Sequence, residues 1–406
     1  MNEMLASMCV VEASAFIAAP YAGLLLAQMG ADVIRIDPIG GGLDHRRWPV
    51  TKEGRSLYWA GLNKAKRSIM LNVREPEGRE LAHTLMTQPG PNAGLVITNL
   101  PAHGWLDYAT LRARRDDLIM VSVIGSRDGS VAIDYTVNAA AGFPFATGPN
   151  DHDGPINHVM PVWDVVAAFS IVQALLAAER YRRETGRGQL ARLALADTAF
   201  ATLSHLGYVA EVQINGVDRP RIGNDIYGSY GRDFGTADGR RVMITAVTVR
   251  HWQALVEATG TSDAMLVLER ERGLDLRKEE ARYAARDAIS AVLSPWFASR
   301  TLAEVSVALD AAGACWGPYQ TFAQAVAEDA RVSTASPLFD EIEQPGIGTH
   351  LAAGCTIDSS VLPRVPVRPA PVLGQDTDAI LSEVLGLSSA RIGALHDAGI
   401  VSGPID

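Results

Sequence analysis

Met8 to Glu12 is a short, almost unbroken apolar run, Tyr21 to Met29 carries apolar residues on every face, and Val33 to Asp37 (VIRID) is apolar again. The two short runs, rich in β-branched residues, read as strands buried on both sides; the longer one reads as a helix. Ala18-Ala19-Pro20 would form the turn between strand and helix. The alternation continues with a strand over Arg67 to Val73, a helix over Glu77 to Met86, a strand over Gly94 to Thr98, a helix over Asp107 to Arg115 and a strand over Leu118 to Ile124. Strand and helix in strict turn predict an α/β, Rossmann-like parallel sheet.

The longest periodic segment runs from Asp164 to about Glu184, apolar nearly all round until Glu179-Arg180-Tyr181-Arg182-Arg183, and stops at Gly186. Cations in a last turn followed by Gly mark a helix end at the surface. A strand (Gln189 to Leu195) and a helix (Asp197 to Val212) follow. From about residue 215 the composition shifts to Gly, Asp, Arg and Tyr. A new strand (Arg241 to Val247) and helices (His251 to Thr259, Arg277 to Phe297, Thr301 to Ala312) then predict a smaller α/β domain. The expected organisation is a large domain over 1–214, to which 330–406 returns, and a small domain over 215–329. Leu362 to Pro371 (LPRVPVRPAP) suits an extended segment crossing another element.

Length and charge narrow the functional classes. With 406 residues, 48% of them hydrophobic and 20% charged, the chain can bury a sizeable core. Its net charge of −10, from 36 Lys and Arg against 46 Asp and Glu, repels nucleic acid and anionic membranes over the surface as a whole. Three scattered cysteines (Cys9, Cys315, Cys355) support neither a disulfide framework nor a zinc site, and fit a reducing, cytoplasmic setting. The uncharged stretch Ala13 to Ala31 is interrupted by Pro20, Gly23, Gln28 and Gly30, and Val165 to Ala178 is too short to span a bilayer. Both read as buried structure, not membrane.

Most of the common signatures fail on context. Gly186-Arg187-Gly188-Gln189-Leu190-Ala191 matches G-x-G-x-x-A, yet it leaves a helix and opens a strand, the reverse of a dinucleotide turn. No P-loop, H-E-x-x-H or G-x-S-x-G occurs. Asp151-His152-Asp153 with His158 could ligate a metal but sits in a Gly/Pro-rich loop. Basic side chains in Asn63-Lys64-Ala65-Lys66-Arg67, and Arg74, could meet phosphates or form a solvated face. Asp164 is singular, because it places one acid at the start of an otherwise apolar helix. Its carboxylate can cap that helix, and, without excluding that role, the helix end can keep it ionised at neutral pH while apolar walls desolvate it, as a carboxylate nucleophile requires.

Taken together these segments resemble the family III CoA-transferases. The resemblance runs end to end and is carried by Gly30 to Asp37 (GADVIRID), Asn63-Lys64 leading into Lys66 to Ile69, Asp134-Tyr135 with Gly142, Thr147-Gly148, Asp164, and Glu179-Arg180 leading into Glu184 to Gln189. It implies Asp164 as nucleophile, CoA lying on the N-terminal Rossmann-like domain, and an interlocked homodimer. Residue by residue it puts Ala18, the Leu71-Asn72 to Arg74 segment, and Asn99-Leu100 along CoA. It implies no permanently bound cofactor and no metal; coenzyme A enters as part of the substrate. A second group, including Pro38 to Asp44, Arg47 to Val50 (RWPV), Trp59 to Lys64 and Asp134 to Asn138, is similar to the branch acting on mesaconate, which implies CoA transfer between the C1 and C4 carboxyls of one mesaconate molecule. An intermolecular transferase on mesaconate, citramalate or succinate uses the same Asp.

Three departures matter. The family's racemases place a His before the acid that aligns with Asp134, and Ile133 stands there, so one of two proton shuttles is missing. The position after the VIRID strand, commonly basic and facing a CoA phosphate, is Pro38. No glycine run of the formyl-CoA transferase kind follows Asp164. A non-catalytic CoA-binding subunit would have no need of Asp164.

Overall fold

The apolar runs of the N-terminal third do form parallel strands. In the computed structural model, which describes residues 1–405, β1 (Cys9–Ala13), β2 (Asp32–Asp37), β3 (Arg67–Leu71), β4 (Leu95–Thr98), β5 (Ile119–Ile124) and β6 (Gln189–Ala194) build one sheet. Its order is β12-β3-β2-β1-β4-β5-β6, where β12 is Val401–Ser402, paired antiparallel to β3; the other six are mutually parallel. Register pairs Val10 with Val33 on one side and with Leu95 on the other. Strand order reverses between β1 and β4, and in doubly wound sheets ligands bind outside the carboxyl ends of the strands at that reversal.

Helices cover both faces. α1 (Ala18–Gln28), α2 (Leu57–Asn63), α3 (Pro76–Met86), α4 (Tyr108–Arg114), α5 (Asp134–Ala140), α7 (Val162–Thr185) and α8 (Leu195–His205) belong to this unit, which comprises residues 1–141, 159–209 and 329–406. α1 begins at Ala18, so Ala18-Ala19-Pro20 is its first turn and not a separate turn; Pro20 is tolerated there because first-turn amides have no intrahelical partner. α2 has no counterpart among the predicted elements, because Trp59 and Ala60 are buried against Met70, Ala370 and Leu373, contacts distant in sequence. α7 is long and apolar enough to cross a membrane by length and composition, yet it packs on α1, β5, β6 and α8 as a core helix. The Pro-rich segment runs extended over the unit: Val365 N donates to Met1 O and Ala65 N to Pro369 O, so it ties the N-terminus to the start of β3.

The second unit comprises residues 142–158 and 210–328. Residues 142–158, inside the predicted large domain, group with it and include the short α6 (Phe143–Ala146). The predicted helix Asp197 to Val212 is two helices, α8 and α9 (Tyr208–Asn215), broken at Gly207 with φ +85°. An antiparallel sheet β7 (Gly231–Gly235), β8 (Arg241–Thr245), β9 (Cys315–Pro318) packs on α10 (Val249–Thr259), α11 (Ser262–Arg272), α12 (Glu279–Ala284), α13 (Arg286–Ala298) and α14 (Leu302–Ala312) around Phe234, Trp252, Leu293 and Phe297.

Candidate functional site

Beneath the carboxyl end of β1 lies a sealed ionic cluster. Arg35, 2% exposed, reaches Asp37 at 2.8 Å, Asp44 at 3.2 Å and Glu12 at 3.3 Å, and Lys66 reaches Glu12 at 2.9 Å. Ser14 donates to Glu12, Arg35 donates to the Ser14 carbonyl, and Lys66 also donates to the Pro20 carbonyl at 2.7 Å. Burial pulls the Lys66 ammonium down to about 8, against the pull of Glu12. Lys66 and the VIRID arginine therefore face inward, not toward a phosphate. The cluster holds the β1–α1 loop by its backbone.

That loop is further constrained from two sides. Phe16 has φ +64°, a left-handed conformation an L-residue adopts at a cost of about 1–3 kcal/mol. It is retained because Asp44 accepts the Phe16 N–H at 3.0 Å, while Asn99, just past β4, accepts from Ala15 N at 2.9 Å and donates to Ala15 O at 2.6 Å. The loop and the first turn of α1 wall a cavity of about 410 Å³, in the range of small-molecule sites. Its lining includes Phe16, Ala18, Arg47, Tyr58, Asn99, Ile133, Asp134 and Asp164.

Asp164 reaches this cavity through a staple between two helices. Asp134, at the start of α5, accepts the backbone N–H of Trp163 at 2.7 Å and of Asp164 at 3.2 Å, while Trp163 Nε1 donates to Asn138 Oδ1 at 3.2 Å. Asp134 thus caps α7 from outside, and the capping role expected as one option for Asp164 is not its own: Asp164 is the third residue of the helix, and no described residue donates a hydrogen bond to its carboxylate. Burial, reinforced by the Asp134 carboxylate and opposed by Arg47, raises the Asp164 carboxyl to about 6. The helix end does not hold it at an ordinary value, yet it remains mostly ionised at neutral pH. A half-buried, unbonded carboxylate in an apolar-walled cavity is poorly solvated and hence reactive toward an acyl carbon.

Of the residues expected along CoA, Ala18 and Asn99 line this cavity with Asp164; the other four do not. The Leu71 side chain is fully buried in the core cluster, and Leu100 packs against the same core. Asn72 is tied to the chain's end, its N–H donating to Ile400 O at 2.8 Å, and Arg74 is exposed just beyond it. All six nevertheless follow or end the carboxyl ends of β1, β3 and β4. Arg47, Tyr58 and Phe16 were not singled out as site residues; only the RWPV segment signalled Arg47. Gly186, with φ +71°, and Gly188 form the turn from α7 to β6, and Asp151, His152, Asp153 and His158 do not converge into a metal-ligating group among the described residues.

Comparison with known proteins agrees in fold and in sequence. The family model for CoA-transferase family III matches residues 5–377. The 2-methylfumaryl-CoA isomerase of Chloroflexus aurantiacus is 54% identical over 405 residues, covering 100% of this chain and 99% of the relative. The succinyl-CoA:mesaconate CoA-transferase of Haloarcula marismortui is 29% identical, covering 92% of this chain and 94% of the relative. Among solved structures, a CAIB/BAIF family protein from Brucella suis superposes with a TM-score of 0.74 at 25% identity, covering 95% of this chain and 100% of that one.

Proposed function

This chain belongs to CoA-transferase family III, and from that premise we infer that it moves CoA between the C1 and C4 carboxyl groups of mesaconate, converting 2-methylfumaryl-CoA to 3-methylfumaryl-CoA. The observation that carries this reading is the 54% identity, end to end, with a 2-methylfumaryl-CoA isomerase. The unbonded Asp164 carboxylate in a cavity suited to a small acyl group supports the chemistry.

In this mechanism Asp164 attacks the C1 thioester carbonyl, the C–S bond breaks, and an aspartyl–mesaconyl anhydride forms with CoA thiolate as leaving group. The thiolate then attacks the aspartyl carbonyl of the anhydride, releasing mesaconate dianion and leaving Asp164 as a CoA thioester. Mesaconate turns within the pocket, its C4 carboxylate attacks the aspartyl thioester, and the same two steps in reverse yield the C4 thioester and free Asp164. Each step exchanges one activated acyl group for another, so the reaction balances without ATP. Keeping mesaconate bound makes the return attack effectively unimolecular.

CoA would run along the carboxyl edge of the sheet, past Ala18, Asn99 and Arg74. A homodimer fits the surface: α7 is apolar, yet less than half of its apolar stretch is buried, and Phe169 on it is 52% exposed. A second copy of this chain would cover that face.

A second reading, intermolecular transfer, is supported by the 29% identical succinyl-CoA:mesaconate CoA-transferase. One experiment separates the two: 2-methylfumaryl-CoA is incubated with excess isotope-labelled free mesaconate, and the C1 and C4 thioesters are resolved by chromatography with mass detection. Unlabelled C4 thioester is expected. Labelled thioester would favour intermolecular transfer, and unchanged substrate would refute both. Asp164→Ala should bind CoA and lose turnover.

A further inference from the structure

The cavity around Asp164 has an unusual charge inventory. It holds two carboxylates, Asp134 and Asp164, and its lining contains a single cationic side chain, Arg47. Any substrate carrying a free carboxylate of its own enters against two like charges, which repel it unless a cation compensates. Arg47 is positioned to do so without being consumed. Its guanidinium lies 5.3 Å from the Phe16 ring centroid and 5.5 Å from that of Tyr58, bracketed by two aromatic faces, and among the described residues it forms no salt bridge with any carboxylate. Aromatic bracketing orients a guanidinium while leaving its charge unneutralised.

The backbone is also fixed at this point. Arg47 N–H donates to Asp44 O at 3.1 Å and Arg47 O accepts from Ser56 Oγ at 2.5 Å, so the residue is anchored between the ionic cluster and the start of α2. Phe16, one half of the bracket, is the residue held at positive φ by Asp44 and by the neighbouring Asn99 clamp. The strain in the β1–α1 loop therefore has a use: it aims the Phe16 ring at Arg47. Arg47 acts on the reacting end of the cavity, since it draws the Asp164 carboxyl downward against burial and Asp134.

We propose that Arg47 is the residue that binds the free carboxylate of the acyl group, holding the dicarboxylate in the cavity between its release from CoA and its return, with Phe16 and Tyr58 as positioning residues. The proposal rests on the mesaconate reading above. It also explains how an acid can turn over next to two carboxylates without leaving: a planar guanidinium can donate the same two-pronged pair of hydrogen bonds to either carboxylate of the acid. The alternative role, contact with a CoA phosphate, would act alike on every CoA thioester, which the test exploits.

The test compares wild type, Arg47→Met and Arg47→Lys in the full-length protein, well above the pH at which Asp164 ionises. The two probes are 2-methylfumaryl-CoA and tiglyl-CoA, in which a methyl replaces the free carboxylate. Isomerisation is read as kcat/KM. Asp164 thioester formation with each probe is read in a single turnover by intact-protein mass. Arg47→Met should lower kcat/KM for 2-methylfumaryl-CoA by about 10- to 100-fold, the effect of losing a charge-assisted pair. Its single-turnover rate with tiglyl-CoA should stay within about 2-fold of wild type. The variant should also release mesaconate, so that labelled free acid appears in product thioester where wild type admits none. Arg47→Lys should recover part of the loss. Equal loss with both probes, or no loss with either, overturns the Arg47 assignment and leaves the mesaconate reading intact. If wild type forms the Asp164 thioester with tiglyl-CoA but not with 2-methylfumaryl-CoA, the mesaconate reading fails and takes the Arg47 assignment with it.

Discussion

Replacing Asp164 by Asn should stabilise the protein while abolishing its activity, and the gain should depend on pH. The carboxyl sits at about 6 in the folded chain against an ordinary 3.8, chiefly because burial penalises its charge and Asp134 adds like charge. That interval corresponds to about 3 kcal/mol at most, since the group is half-buried and partly reached by solvent. The sign follows from proton counts. Between 3.8 and about 6 the folded chain keeps a proton that the unfolded chain has lost, so stability falls as pH rises through this window and the penalty is complete above it. Asn has the same shape, carries no charge, and forfeits no hydrogen bond made by the carboxylate. Asp164→Asn should therefore melt about 3 °C above wild type near pH 8, with little difference at about pH 4. Scanning calorimetry at the two pH values, with turnover assayed in parallel, makes the test; turnover should fall at least about 10³-fold. An equal melting shift at both pH values would refute the electrostatic argument, and a loss of stability near pH 8 would mean the carboxylate is held by favourable contacts.

Three further outcomes follow from the site. Asp134→Asn keeps an acceptor for the Trp163 and Asp164 amides but removes its charge, so the acidic limb of the kcat/KM profile should move below about 6 with the fold intact. Lys66→Met leaves Glu12 buried with Arg35 as its remaining cation, and should cost about 3 kcal/mol, read as a lowered Tm. Asn99→Ala removes both bonds to Ala15; the loosened loop should raise KM for the CoA thioester about tenfold, with the circular dichroism spectrum unchanged.

The parallel sheet was legible because strands buried on both faces are written as continuous apolar runs, and Asp164 because one acid in a long apolar helix breaks its own pattern. The rest depends on partners remote in sequence. Nothing local distinguishes Arg35 in VIRID from a surface cation; its burial is decided by Glu12, Asp37 and Asp44 together. Asp134 was visible as a motif residue, but its work of capping α7, 29 positions on, exists only in three dimensions. Arg47 lacks any periodic setting, and its two flanking rings come from separate loops and helices. Breaks within predicted helices, at Gly207 and between α12 and α13, were missed because apolar spacing continues across them.

The two-residue strand β12 sets a schedule for synthesis. Asn72 bonds to a residue 327 positions later, and Val401 pairs with Leu71. On a ribosome adding about 5–20 residues per second, β3 waits roughly 15–65 s for that partner. Meanwhile an apolar edge with unpaired amides is open to strands of neighbouring nascent chains. The sheet closes only once residues 399–402 have been made, so yield in a foreign host should respond more to slower growth and chaperone supply than to changes in the catalytic pocket.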